Sequence, residues 1–244
     1  MDILEKEKIE MEFWKKSKFE NPGNFSLGNK NNKLNDAKIF KSILTKYKKY
    51  FIKAEKILEI GAGQGWASCI VKKQFNKYTA ASDISPYALE SLKYWEKEYD
   101  TKLDNCIVAK SYEIPIENQF FDLVFCFASA HHFGDHKNTI REIYRILKPN
   151  GVCIYMYEPG CRGIFYGVFK YYMNKSRPIV PEDVLLYKDI EILGEQLGFE
   201  TVIDFYPTIT RRNILLKIYN IILKFIPILN KIFPTTVNII FKKI

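Results

Sequence analysis

The spacing of apolar residues changes at Lys56. Before it, MDILEKEKIEMEFWKKSKF and LNDAKIFKSILTKYKKYFI repeat apolar side chains three and four positions apart, which predicts helices over residues 1 to about 20 and about 34 to 52. NPGNFSLGNKNN, rich in Gly and Asn, reads as the loop between them. From Lys56 onward, short apolar runs alternate with helical stretches. The predicted strands are KILEI (56–60), YTAASDI (78–84), NCIVA (105–109), FDLVFCF (121–127), GVCIYMYE (151–158), FETVIDFYP (199–207) and TTVNIIFKKI (235–244). Helices are predicted near 64–75, 86–98, 136–148 and 182–197. Each crossover is long enough to bring the chain back in parallel, so the pattern predicts an α/β fold on a mostly parallel sheet, with 235–244 pairing beside 199–207.

Two stretches fall outside that alternation. RRNILLKIYNIILKFIPILNKIF (211–233) is a helical insertion whose polar residues Asn213, Lys217, Asn220, Lys224 and Lys231 form one narrow stripe, with Pro227 breaking the run. Its wide apolar face suits peripheral contact with a membrane, or packing over the sheet or at a dimer interface, and packing is the commoner use. The tract 160–183 interleaves Phe165, Tyr166, Phe169, Tyr171 and Tyr172 with Arg162, Lys170, Lys175 and Arg177, as a lid over a bound molecule would.

Composition narrows the class. The 47% apolar and 27% charged content is that of a folded globular chain and excludes wholesale disorder or a collagen-like repeat. The net charge of +9 is mostly lysine: only six of 37 basic residues are Arg, and they are scattered, which argues against a nucleic-acid partner. No run of 18 uncharged apolar residues predicts a membrane span, and the charged N-terminus lacks the apolar core of a signal peptide. Five cysteines without a CxxC pair fit reduced thiols and a cytoplasmic location.

The first predicted strand runs into ILEIGAGQGWAS. Gly61, Gly63 and Gly65 allow a sharp turn and close backbone approach to a ligand, and the N–H groups of the following helix point at it, as a nucleotide-type cofactor requires. A dinucleotide fingerprint needs a third glycine where this chain has Trp66, which argues against NAD.

Glu59, Gly61, Gly63 and Gly65 in the order E-x-G-x-G-x-G resemble motif I of class I S-adenosylmethionine-dependent methyltransferases. Three further segments resemble that family in the same order. Asp83 ends the second strand, where a carboxylate accepts both ribose hydroxyls, and Ile84 matches the residue packed on adenine. AKSYEIPIENQFFDLVFCFASAHHF and REIYRILKPNGVCIY match the third-to-fourth and fourth-to-fifth strand segments, so the resemblance spans about residues 56–158.

The resemblance implies a Rossmann-like seven-stranded sheet, mostly parallel with an antiparallel last strand. It implies an N-terminal helical cap (1–52) before a cofactor-binding domain (53–244) that carries the 160–183 lid and the 211–233 insertion. S-adenosylmethionine is the implied cofactor, held by Glu59, Gly61, Ala62, Gly63, Gln64, Gly65, Asp83, Ile84, Phe127 and Ala128. The acid that usually receives the adenine amino group falls at Lys110, so Ser111, Tyr112 or backbone carbonyls are expected to take its place. The implied reaction is methyl transfer to a small-molecule acceptor (a sugar, an anionic metabolite or a lipid-linked compound), with oxygen favoured as the methylated atom. Two alternatives stand beside it: a cofactor-binding protein without transferase activity, and an RNA methyltransferase.

HHFGDH (131–136) contains every histidine of the chain. On an extended segment His131 and His132 would point to opposite sides, so no metal site is expected. His131 or His132 is a candidate general base at the active-site edge, and a purely structural role is the alternative.

Overall fold

The computed structural model describes residues 2–18, 20, 27–175, 183–208 and 214–244. Helices α1 (Ile3–Lys16) and α2 (Leu27–Lys53) precede β1 (Lys56–Ile60), α3 (Trp66–Phe75), β2 (Tyr78–Asp83), α4 (Pro86–Leu89), α5 (Leu92–Tyr99) and β3 (Asn105–Val108). Then come β4 (Phe121–Phe127), a 3-10 turn (Ala130–His132), α6 (His136–Ile146), β5 (Leu147–Cys161), α7 (Gly163–Asn174), β6 (Leu185–Leu186) and α8 (Tyr187–Gln196). β7 (Phe199–Phe205), α9 (Ile214–Phe225), a second 3-10 turn (Pro227–Lys231) and β8 (Thr235–Lys243) complete the chain.

The strands form one sheet in the order β3-β2-β1-β4-β5-β8-β7. Strands β1 to β5 are parallel, and β8 lies antiparallel between β5 and β7. β4 sits at the centre and is apolar on both faces, as a doubly covered parallel strand must be. Its residues alternate between two cores. Leu123, Phe125 and Phe127 join Phe40, Phe51 and Trp95 from α2 and α5. Phe121, Val124 and Cys126 join Ile140, Ile143, Tyr187 and Ile190 from α6 and α8. The molecule is therefore a helix–sheet–helix sandwich in which α2 is an integral part of one helical layer.

Several boundaries differ from the sequence reading. α2 begins at Leu27, inside the stretch read as a loop, and residues 21–26 lie outside the described set. The 86–98 helix breaks in two around Glu90 and Ser91, with Ser85 capping the first piece through the Ala88 N–H. β5 extends to Cys161, and the two-residue β6 pairs with its end, so the sheet has eight strands rather than seven and α8 starts at Tyr187. The largest departure is in the insertion. Asn220 of the expected polar stripe is buried, as is Asn230, while Ile214, Leu215 and Phe225 face solvent. Asn213, Arg211, Arg212 and Arg177 lie outside the described residues. Among the described residues, no helix is long and apolar enough to cross a membrane.

Candidate active site

The parallel strands deliver their carboxyl ends to one edge, where ligands of open α/β sheets bind. β1 passes to α3 through Gly61, Gly63 and Gly65, whose φ values of +65°, +54° and +78° are left-handed. Space demands glycine as well, because a Cβ on Gly61 would stand 2.8 Å from Ser129 Oγ. Gly61, Ala62, Gly63 and Gln64 line a cavity of about 1150 Å3, larger than a single small ligand needs. Gly65 faces the start of α5 instead, where its Cβ would meet Leu92 Cδ1 at 2.8 Å.

Glu59 is not on the cavity wall. It is buried beneath the loop and accepts the Ser68 N–H at 2.9 Å as well as the Ser68 hydroxyl, tying β1 to the first turn of α3. Burial pushes its pKa up to about 8, against the opposing hydrogen bonds from Ser68.

Asp83 closes β2 at the cavity wall, with Ile84 beside it. Its two oxygens accept the Gly63 N–H and the Ser85 N–H, both at 2.8 Å. Burial raises its pKa to about 6, with the two backbone hydrogen bonds opposing. Next along the edge, Ser111 and Tyr112 also line the cavity, and Ser111 Oγ pairs with Thr139 Oγ1 at 2.8 Å. Lys110 is turned toward α1, its Nζ 2.9 Å from Glu7 Oε2, while the Tyr112 hydroxyl donates to Glu7 Oε1 at 2.5 Å. A carboxylate from the N-terminal helix thus stands beside the position where this chain carries a lysine.

α1 lies across the whole edge. Ile3, Glu7, Glu10 and Trp14, at helical spacing, meet in turn Gly134, Tyr112, His132 and Gly63. A Cβ on Gly63 would come within 3.3 Å of the Trp14 ring.

The histidines occupy a 3-10 turn after β4. Their rings are therefore neighbours, with centroids 4.1 Å apart, and both line the same cavity. The opposite orientations expected of an extended segment do not occur, because successive 3-10 residues are rotated by about 120° rather than 180°. His131 Nδ1 is 2.7 Å from Glu158 Oε2. Glu158 is fully buried and also accepts the N–H groups of Ser129, Ala130 and His131 at 2.9, 2.9 and 3.2 Å. Burial alone would raise the Glu158 pKa, but His131 and these backbone donors outweigh it and leave the carboxyl below its ordinary value. A carboxylate on Nδ1 makes Nε2 the basic nitrogen of His131. His132 Nδ1 lies 2.7 Å from Glu10 Oε1. Asp135 caps α6 through the Asn138 N–H, and His136, whose pKa burial lowers to about 4, is not on the cavity wall. Among the described residues, no group of three or more His, Cys, Asp or Glu could hold a metal ion.

Glu158 reaches its place through a bulge. The β5–β8 register shifts between Tyr155 and Glu158, and Tyr157 there adopts φ +61° with its N–H donating to Asn238 Oδ1. Ala128, just past the end of β4, has φ +49°. Two non-glycine residues in this region cost about 1–3 kcal/mol each, and both line the cavity. Phe127 and Tyr157 stack at 5.5 Å, extending an apolar wall that α7 and α9 complete with Phe165, Phe169, Leu216 and Tyr219.

Of the residues singled out by sequence, twelve line one cavity: Gly61, Ala62, Gly63, Gln64, Asp83, Ile84, Ser111, Tyr112, Phe127, Ala128, His131 and His132. Glu59 and Gly65 support it from behind. Sequence reasoning missed Glu7, Glu10 and Trp14, which reach the site only because α1 folds back over the edge. It also missed Tyr157, whose signal would have been a bulge that leaves no mark on strand periodicity.

Residues 58–155 match the family model described as a methyltransferase domain. An uncharacterized methyltransferase-like protein of Schizosaccharomyces pombe is 35% identical over 95 residues, covering 39% of this chain and 35% of the relative. The ubiquinone biosynthesis O-methyltransferase of Rickettsia akari is 26% identical over 153 residues, 63% of this chain and 57% of that protein. The match thus spans about a third of the length of the fission-yeast relative and somewhat over half of the Rickettsia one. A SAM-dependent methyltransferase from Archaeoglobus fulgidus shares the fold, with TM-score 0.58, 18% identity and coverage of 84% of this chain and 94% of that one. Residues 58–155 thus match a methyltransferase domain, and the glycine loop, Asp83 and the HHF segment stand on this fold in the order of the class I S-adenosylmethionine-dependent methyltransferases that the chain resembles.

Proposed function

We propose that the protein transfers a methyl group from S-adenosylmethionine to an apolar or amphiphilic small molecule, at oxygen. The observation that carries this reading is a single cavity that runs from the glycine loop and Asp83 to a wall of aromatic and aliphatic side chains from α7 and α9.

The residues present fit the cofactor. The bare backbone of Gly61 and Gly63 leaves the space that a methionine moiety needs, Asp83 offers two oxygens to ribose hydroxyls, and Ile84 supplies an apolar surface for adenine. Glu7 takes the part of the missing acid, receiving the adenine amino group while Lys110 and Tyr112 hold its carboxylate in place. When bound, the sulfonium supplies the methyl group by in-line displacement.

The chain's own residues perform the rest. α1 and α7 exclude water, and Phe127 and Tyr157 set the acceptor plane. His131, oriented by Glu158, takes the acceptor's proton at Nε2. Methylation of a quinone-like hydroxyl, as named for the Rickettsia relative, suits this apolar wall better than a sugar does. α1 acts as the cap and α7, within the 160–183 tract, as the lid, while α2 belongs to the helical layer.

Calorimetry with S-adenosylhomocysteine tests the reading. Micromolar binding is expected, weakened about tenfold in Glu7→Gln but only for the natural ligand. An analogue with the adenine amino group replaced by oxygen, an acceptor, should reverse the preference and bind Glu7→Gln better than wild type. Absence of binding to either ligand at millimolar concentration overturns the proposal.

A further inference from the structure

α9 is built the wrong way round for a helix that packs on a sheet. Ile214, Leu215, Ile218, Ile221, Ile222 and Phe225 are all exposed, from 39% at Ile221 to 79% at Phe225. At 100° per residue they fall within an arc of about 120°. The opposite side carries Leu216, Tyr219 and Asn220 to the cavity. α7 repeats the arrangement: Phe165 and Phe169 line the cavity, while Ile164 and Tyr171 are 84% and 71% exposed. Phe165 meets Phe233 at 5.7 Å, joining α7 to the turn that follows α9.

The charge beside this surface is mostly positive: the carboxylate in the adjoining cleft, Asp204, is paired with Lys46. Residues 214–234 hold three Lys and no Asp or Glu, and Lys170 of α7 is paired with Asp183. Lys38, Lys217, Lys224 and Lys231 line a cleft of about 1270 Å3 between α2 and α9, along one flank of the apolar arc. A second copy of the chain, meeting this face by two-fold symmetry, would set lysine against lysine. An anionic lipid surface complements both parts at once, taking the apolar side chains into its interface and the lysines onto its phosphates.

We propose that the α7–α9 face docks on an anionic membrane surface, with Leu215, Ile218 and Phe225 inserted and the lysines of the α2–α9 cleft on lipid phosphates. The inner sides of the same helices wall the cavity, so a docked bilayer lies about one helix diameter, ~10 Å, from the acceptor wall. The docking stands on the surface alone. Its use in delivering a membrane-resident acceptor rests on the methyl-transfer reading.

Flotation of the full chain with vesicles decides the matter. Binding to phosphatidylcholine vesicles containing phosphatidylglycerol is expected, with little binding to phosphatidylcholine alone and a steep decline in high salt. The double variant L215S/F225S alters only exposed side chains, so it should melt like wild type, bind S-adenosylhomocysteine equally well and partition about tenfold more weakly. Replacing Lys217, Lys224 and Lys231 with Gln should abolish the preference for phosphatidylglycerol. No flotation with anionic vesicles, or flotation undiminished in L215S/F225S, overturns the proposal. A concentration-dependent dimer that L215S/F225S dissociates assigns the face to a second copy and overturns it too. Vesicle binding without S-adenosylhomocysteine binding would leave the docking and remove the methyl-transfer reading; the reverse result would do the opposite.

Discussion

α6 and α9 are helices of similar length with apolar residues at helical spacing, yet they use that spacing in opposite ways. α6 buries Ile140, Ile143 and Ile146 against the sheet and leaves Lys137, Asn138 and Arg141 in water. α9 buries Asn220 and Leu223 and leaves six Ile, Leu and Phe residues in water. Periodicity states that a helix has two sides. Which side faces inward depends on what waits there: for α6 a fully apolar strand face, for α9 a cavity and a short irregular turn whose carbonyls need donors. Asn220 Nδ2 donates to Leu216 O, and Asn230 Nδ2 donates to Leu223 O, so the buried amides hold the α9 turn together.

The contrast can be broken at three points. The largest effect belongs to the rigid edge beside α6. His131→Asn keeps an N–H for Glu158 but lacks Nε2, and should lower kcat about 100- to 10,000-fold while the melting temperature stays near wild type. A variant that turns over normally would place the base elsewhere.

Next is stability. Ile143→Ala, at 1% exposure, should cost about 2–5 kcal/mol in urea unfolding, whereas Ile218→Ala, at 49% exposure, should change it by less than about 0.5 kcal/mol. Equal losses would mean that α9 is covered in solution.

The smallest and most graded effect is that of pH on Asp83. Its carboxyl is raised to about 6 by burial, and the proposed pairing with ribose hydroxyls needs the charged form. Affinity for S-adenosylhomocysteine, measured by calorimetry, should be level above pH 6 and fall by up to about tenfold per unit below it. Folding stability of the ligand-free protein carries the opposite sign. A pKa raised in the folded state favours folding below the unfolded value, and that increment is lost as pH rises through about 6. Asp83→Asn should flatten both profiles.

The sequence by itself determined the parallel core and most of the glycine-loop end of the cavity. Those parts are local: a glycine that must turn, a carboxylate at a strand end and a strand apolar on both faces each follow from a few adjacent residues. Glu59 shows the limit of that legibility. Its place in motif I was readable, but its direction, away from the cavity and into Ser68, was not. Only the tertiary structure decided the rest. The bulge at Tyr157 swings Glu158 under His131, α1 folds back to bring Glu7 to Tyr112, and a 3-10 turn sets the two histidine rings side by side. Each of these joins residues far apart in the chain or depends on one backbone rotation, as does the turning of Leu216 and Tyr219 of α9 to the cavity while Leu215 and Phe225 face solvent.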